Sequence, residues 1–430
     1  MSKTNFRWVI MGLVFFITVI NYVDRSAIAF AMPILSKLFH LNPEDIGLTL
    51  GAFNIGYALM VFVGGLLVDN WGARKVWFWG ALIWSASIFS TAFATGFAFL
   101  FVVRLLLGLA EGPNFPAMNR VVGDWLPLKE RSTALANGLV AVPFALMIGG
   151  PIVTSLSTIF GWQVMFMILG IVGMIWAPIW LYLFRNFPER SKFVNDEELS
   201  YIREGAKVDR NRTSLEIRHE HTSVPKGLWK FLLTNPTLLS NDWAFFVFGY
   251  NLFFFMGWLP TFLDKTYHMN VMKIGMFTVL PWALATVLLF LDGRLSDKIY
   301  ASTKSLRKAR SHPIWISQLL SGLSLIPIML YHDVNIAMIF IALAVGLGMA
   351  ANPNYYATNI DVIRQRSGTA LGIMDFGFAV AGLIASTLTG LIVQLTGSFV
   401  GAFGFLLFLN LTSVVSVILF HHPDKEKFQV

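Results

Sequence analysis

The stretch Gly65-Leu66-Leu67-Val68-Asp69-Asn70-Trp71-Gly72-Ala73-Arg74-Lys75 closes one long apolar run and opens the next. A partial copy, Gly293-Arg294-Leu295-Ser296-Asp297, closes another apolar run far down the chain, with Arg307 and Lys308 beyond it. The shared unit is Gly-x-x-x-Asp followed by basic residues. Glycine lets two helices approach closely. An Asp near a helix end can accept from a neighbouring helix N-terminus or a basic side chain. Such a contact can hold one arrangement of helices closed and break in another. Gly65, Asp69, Arg74 and Asp297 are therefore candidate gating residues, and the copy points to a chain built from two related halves.

Working outward, about 20 apolar residues cross a bilayer. Runs of that kind lie near 8–31, 46–68, 76–95, 97–119, 131–155 and 162–184, and again near 238–262, 274–292, 312–331, 335–357, 367–394 and 398–420. The 97–119 and 335–357 runs are the weakest, because each carries polar residues toward its end. The reading is an all-α integral membrane protein of twelve transmembrane helices: a six-helix bundle over 1–184, a linker over 185–237 and a second bundle over 238–430. Composition agrees. Of 430 residues, 56% are hydrophobic and 13% charged, against about 25% charged in soluble domains. A soluble chain of this make-up would expose too much apolar surface. Without cysteine there is no disulfide framework or thiolate site. Lys3 and Arg7 before an apolar run resemble a signal peptide, but Asn21, Tyr22, Asp24 and Arg25 interrupt the run, which reads as a retained first helix.

The net charge of +8 is a topology signal. With both termini in the cytoplasm, the outer loops hold only Lys37, Lys265 and Lys273, and Arg25 and Arg104 lie inside spans. Every other basic residue is then cytoplasmic, as the positive-inside rule requires. Nucleic acid is excluded as a partner; the lipid bilayer is the surroundings. Within the linker, Asn195 is suited to cap a short amphipathic helix carrying Leu199 and Ile202. His219 and His221 lack further ligands, and no metal site is expected.

Charges inside a membrane are costly and mark function. Asp24 and Arg25 fall in the first span, Arg104 and Glu111 in the fourth and Asp375 in the eleventh. Tyr22 and Arg25 share one helix face. So do Arg104 and Glu111, two turns apart with Gly108 between them. A cavity-facing Arg presents a planar fork that suits a carboxylate. A carboxylate in a poorly hydrated cavity holds its proton to higher pH, so it can load on one side and release on the other. These are the parts of a proton-coupled anion transporter; static ion pairs between helices are the plainer reading.

The Asp69–Lys75 loop resembles that of the major facilitator superfamily, with Asn70 where Arg is usual. Asn21-Tyr22-Val23-Asp24-Arg25, the run from Arg104 through Glu111-Gly112-Pro113-Asn114-Phe115-Pro116 to Trp125-Leu126-Pro127, and Glu198-Leu199-Ser200-Tyr201-Ile202 resemble its anion:cation symporter family, which includes bacterial hexuronate, galactonate and glucarate transporters. The resemblance implies two bundles rocking about a central cavity, in a monomer of a bacterial inner membrane. It implies that Arg25 holds a substrate carboxylate with Tyr22 and Tyr57, that Asp24 and Glu111 carry protons, and that Arg104 tunes Glu111 and gates the site. Asn352, Asn354 and Tyr355 would line the substrate site as hydrogen-bonding groups. Two positions depart from the sugar-acid members. Asp375 stands where Asn is usual, and Val142 where a polar amide is common. Asp375 is an added proton site, a contact for a cationic group on the substrate, or a structural residue.

The function expected is proton-coupled symport of a small organic anion, a sugar acid or another carboxylate, by alternating access. The alternative is proton-antiport export of a metabolite, siderophore or drug. No cofactor is needed beyond the ion gradient, and sodium stays open because Asp24, Asp375 and Asn352 offer oxygen ligands. An enzyme is not expected: the chain has no nucleophile elbow, His-Glu-x-x-His pattern or P-loop.

Overall fold

The computed structural model describes residues 4–203, 227–363 and 367–425. His219 and His221 lie outside them. The described residues are helical almost throughout. The first half holds α1 (Phe6–Leu38), α2 (Pro43–Trp71), α3 (Ala73–Thr91), α4 (Phe97–Glu111), α5 (Asn114–Trp125), α6 (Leu128–Phe160) and α7 (Trp162–Leu183). Short helices α8 (Asp196–Ile202) and α9 (Leu228–Thr234) lie between the halves in sequence. The second half holds α10 (Pro236–Tyr267), α11 (Val271–Phe277), α12 (Val279–Thr303), α13 (His312–Leu323), α14 (Leu325–Leu330), α15 (Val334–Ala350), α16 (Asn352–Val362), α17 (Ser367–Thr396) and α18 (Val400–Phe420).

Ten helical segments among the described residues are long and apolar enough to cross a membrane, and the bent α2 makes an eleventh if its two legs are one span. The run expected near 76–95 forms α3, which is less apolar: Arg74, Lys75, Ser85, Ser87 and Ser90 dilute it. The two weakest runs are both broken helices. α4 gives way to α5 at Gly112-Pro113, and α15 to α16 at Ala351, two residues before Pro353. A proline lacks the N–H that continues the ladder, and its ring crowds the preceding turn. The equivalent rods of the two halves thus break at equivalent places.

Helix starts follow local chemistry. Asn42 and Asp45 form a capping box at α2, with Pro43 in the first turn. Asn235, Asn270 and Asp333 cap α10, α11 and α15 with their side chains. Asn195 Oδ1 accepts from the Glu198 amide at 2.9 Å, so α8 begins where its cap was read. The apolar face of α8 is packed. Leu199 and Ile202 are buried. The Glu198 carboxylate, fully buried, accepts from Thr4 Oγ1 (2.6 Å), the Phe6 and Arg7 amides (3.0 and 3.1 Å) and Arg7 Nη1 (3.0 Å). It therefore serves the orphan amides at the start of α1, and α8 is tied to the first half.

The halves meet through α2 against α17, α6 against α11 and α12, and α1 against α10. The close approaches lie at the end remote from the termini. A Cβ on Gly47 would meet the Ser386 carbonyl and Gly390; one on Gly150 would meet Thr278 and the Gly275 carbonyl. Lys37 and Asp264 form an ion pair across the halves there. Toward the termini, Gly65 of α2 and Gly372 and Gly377 of α17 face open space. The two halves are pressed together at the end remote from the termini.

Candidate functional site

The centre of the first half is an ion pair built by α1 and α4. Gly56 and Gly108 let α2 and α4 cross backbone to backbone: a Cβ on Gly108 would strike the Phe53 carbonyl, and one on Gly56 the Leu105 carbonyl. That crossing sets Glu111, one turn beyond Gly108, against α1. Arg25 Nε and Nη2 donate to Glu111 Oε2 at 3.1 and 2.9 Å, and Nη2 also donates to Asn21 Oδ1 at 3.2 Å. Both side chains are fully buried. The Arg25 guanidinium is walled by the rings of Tyr22 (4.4 Å), Phe53 (4.5 Å) and Tyr57 (4.9 Å), a cation–π arrangement. Arg104 stands over the Phe53 ring at 5.0 Å and donates to the Arg25 carbonyl at 3.4 Å. Glu111 therefore pairs with Arg25 of another helix rather than with Arg104 of its own.

Several polar atoms of this cluster are buried without a partner. They are Arg25 Nη1, Glu111 Oε1, Arg104 Nε and Asp24 Oδ2. Burying such atoms unsatisfied costs free energy, so each is a place for a water, a proton or a ligand. Asp24 is buried beside the pair and forms no ion pair among the described residues.

Between the halves lies a cavity lined by Tyr22, Tyr57, Phe115 and Val142 of the first half and by Phe245, Phe248, Asn352, Tyr356, Asp375 and Phe378 of the second. Tyr22, Tyr57, Asn352 and Asp375 were all readable as site residues in the sequence, and the structure brings them to one cavity. Arg25 sits just behind the Tyr22 and Tyr57 rings. Asn354 and Tyr355, expected beside Asn352, do not line this cavity. Asn354 donates to Asp292 at 2.5 Å and accepts from Ser296 Oγ, and the Tyr355 hydroxyl accepts from Gln318 at 2.9 Å. The reason is the helical turn: on α16 the residues after Asn352 rotate away from the cavity, and Tyr356, four positions on, returns to it. Tyr356 and the phenylalanines of α10 and α17 were not singled out in the sequence. Helix periodicity counted from Asn352 would have found Tyr356; nothing local marks the phenylalanines among 39. Asp242 is part-buried near Asp375, with Oδ1 unpartnered.

The candidate gating residues sit at the end that carries the termini. Asp69 accepts from Arg120 of α5 at 3.4 Å. Asp297 accepts from Arg310 at 3.2 Å, and Arg310 also reaches Asp361 of α16. Arg74 donates to the Leu181 carbonyl at 2.6 Å, and its amide to Asn186. Each motif Asp thus receives an Arg from another helix of its own half. Gly65, expected to permit a close helix approach, does not: a Cβ there meets nothing within 4 Å. Its neighbour Gly64 has that role, packed on Pro113.

Comparison with known proteins agrees with this architecture. The family model described as Major Facilitator Superfamily matches residues 14–309. A hexuronate transporter of Bacillus subtilis is 32% identical over 409 residues, covering 94% of this chain and 92% of its own. An Escherichia coli protein named "Probable galactarate/D-glucarate transporter" is 31% identical over 97% of this chain and 93% of its own. In fold, the chain is similar to a bacterial homologue of the human lysosomal transporter Spinster, solved inward-facing and unoccupied, with a TM-score of 0.73, 17% identity and coverage of 97% and 95%. With the repeated Gly-x-x-x-Asp unit, the paired broken helices and the cavity between two helical halves, the chain belongs to the major facilitator superfamily of membrane transporters.

Proposed function

We propose that the protein is a secondary transporter that moves a small carboxylate across the membrane by alternating access, coupled to protons. The observation that carries this reading is the fully buried Arg25–Glu111 pair beside the unpaired Asp24, set behind the wall of a cavity between two halves. Arg25 keeps one guanidinium nitrogen unspent for a substrate carboxylate. When substrate takes Arg25, Glu111 loses part of its counter-charge and binds a proton more readily. Substrate and proton then load together. The named relatives, sugar-acid transporters of matching length, support an organic anion as cargo. With the termini in the cytoplasm, the end at which the halves are pressed together faces outward.

The test is uptake into proteoliposomes across a panel of sugar acids, dicarboxylates and amino acids, with an inward proton gradient on and off. Gradient-driven uptake by the natural sequence, abolished in a well-folded Arg25→Ala, is expected. Near-normal uptake and affinity in Arg25→Ala would sink the proposal. The aromatic lining by Phe115, Phe245, Phe248 and Phe378 keeps export of an apolar compound by proton antiport as the second reading. Efflux from loaded vesicles against a proton gradient, with no acid taken up, would favour it.

A further inference from the structure

The cavity is polarised in a way that a simple anion does not explain. On the side of the first half, the unpartnered atom packed against the cavity-lining rings of Tyr22 and Tyr57 is a donor, Arg25 Nη1; the open acceptors there, Glu111 Oε1 and Asp24 Oδ2, belong to residues that do not line the cavity. On the side of the second half, the open atoms are acceptors. Asn352 lines the cavity and is buried, and its Oδ1 has no partner. Asp375 lines the cavity beside Tyr356, and no Lys, Arg or His among the described residues forms an ion pair with it. Asp242 stands behind, its Oδ1 also unpartnered.

The charge balance points the same way. Arg25 and Glu111 cancel, and Arg104 and Asp24 are one of each sign within the same cluster. That leaves Asp375 and Asp242 as uncompensated carboxylates on the second half. A purely anionic substrate gains nothing from that wall, whereas a positively charged group would hold the carboxylate there as an ion.

The remaining lining is aromatic. Tyr22, Tyr57, Tyr356, Phe245 and Phe378 surround the approach to Asp375, and the Phe245 ring lies 5.3 Å from Phe378 and 5.5 Å from Tyr356. Ring faces attract a positively charged nitrogen. A polyhydroxylated acid needs several donors and acceptors, but Asn354 and Tyr355 are committed elsewhere. Val142 adds a further apolar face.

Resting on the transporter reading above, we infer that the substrate is a zwitterion: a carboxylic acid that also carries a positively charged nitrogen, its carboxylate toward Arg25 and its nitrogen seated between Asp375, Asn352 Oδ1 and the aromatic wall. Asp375 is then the residue that determines specificity, and Arg25 the residue that every acid shares.

Matched probes test this in proteoliposomes. Glycine betaine and 3,3-dimethylbutanoate have the same shape and differ by the charge on one central atom. 4-Aminobutanoate and pentanoate form a second such pair, and D-glucuronate stands for the hydroxylated acids. The zwitterion of at least one pair is expected to be taken up about tenfold or more better than its isostere, the difference that one good ionic contact makes. Asp375→Asn should collapse that ratio toward one, and Asp375→Glu, which keeps the charge and guards against a folding artefact, should retain most of it. Uptake of the plain acids or D-glucuronate with no preference for charged nitrogen, unchanged in Asp375→Asn, overturns the inference and leaves the transporter reading intact. A folded protein that moves none of the probes overturns both.

Discussion

Replacing Gly108 with alanine adds one methyl group at the α2–α4 crossing. The new carbon falls on the Phe53 carbonyl oxygen and the Tyr57 amide nitrogen of α2, backbone atoms that no rotamer change can move. An ordinary carbon–oxygen contact is about 3.3–3.6 Å, so α4 has to retreat by on the order of 1 Å. Overpacking of this kind costs about 1–3 kcal/mol, and the better helix propensity of alanine offsets about 0.8–1 kcal/mol of it. The fold therefore survives with a modest loss. The larger effect is on the site. Glu111 lies one turn further along α4, and the same retreat stretches its 2.9 Å bond to Arg25 beyond the 2.7–3.2 Å window that such bonds occupy. A charge-assisted bond contributes about 1.5–3 kcal/mol, so gradient-driven uptake should fall by about tenfold or more. Gly65→Ala is the internal control. It makes the same chemical change in a helix, but its methyl meets nothing within 4 Å, so melting and uptake should stay as they are or improve slightly. The assay is intrinsic tryptophan fluorescence on heating, for stability, with proteoliposome uptake for function. If Gly108→Ala matches Gly65→Ala in both, the crossing does not set the geometry of the pair and the reasoning is wrong.

Neighbouring tyrosines on α16 should separate cleanly. Tyr355→Phe removes a buried hydrogen bond to Gln318, so it should lower stability by about 1 kcal/mol and leave apparent substrate affinity unchanged. Tyr356→Phe, which lines the cavity, should change affinity several-fold and stability little; the reverse pattern would mean that the cavity is not the binding site. Glu198→Gln should weaken the tie between α8 and the start of α1 by about 1.5–3 kcal/mol, because a carboxylate that serves Thr4, Phe6 and Arg7 loses its charge. Faster hydrogen exchange at residues 4–10, with uptake retained once the protein is folded, is the expected readout; unchanged exchange would assign that tie to Glu130 instead.

Local chemistry made much of this legible beforehand. Apolar runs of bilayer length announce spanning helices, because no other use of so much apolar surface is stable. The repeated Gly-x-x-x-Asp unit announced two halves, and charges within spans marked the candidate site, since each must have a reason to stay buried. Asn195 named its helix start because an N-cap is decided by neighbours in sequence.

What stayed hidden depends on atoms brought together from distant positions. Arg104 shares a helix with Glu111, yet Arg25 is the ion-pair partner, because the α2–α4 crossing at Gly56 and Gly108 presses Glu111 against α1. Gly65 belongs to the motif, yet Gly64 bears the close contact, because one residue turns a helix by about 100°. Asn354 and Tyr355 carry the right chemistry but were claimed by Asp292, Ser296 and Gln318. The sequence by itself determined that this chain spans a membrane in two related halves and which charges fall inside its spans, because hydrophobic length and the place of a charge within it are local quantities. Only the tertiary structure decided which charges pair and which side chains face the cavity, because those outcomes depend on the crossing and rotation of helices that no single stretch of sequence contains.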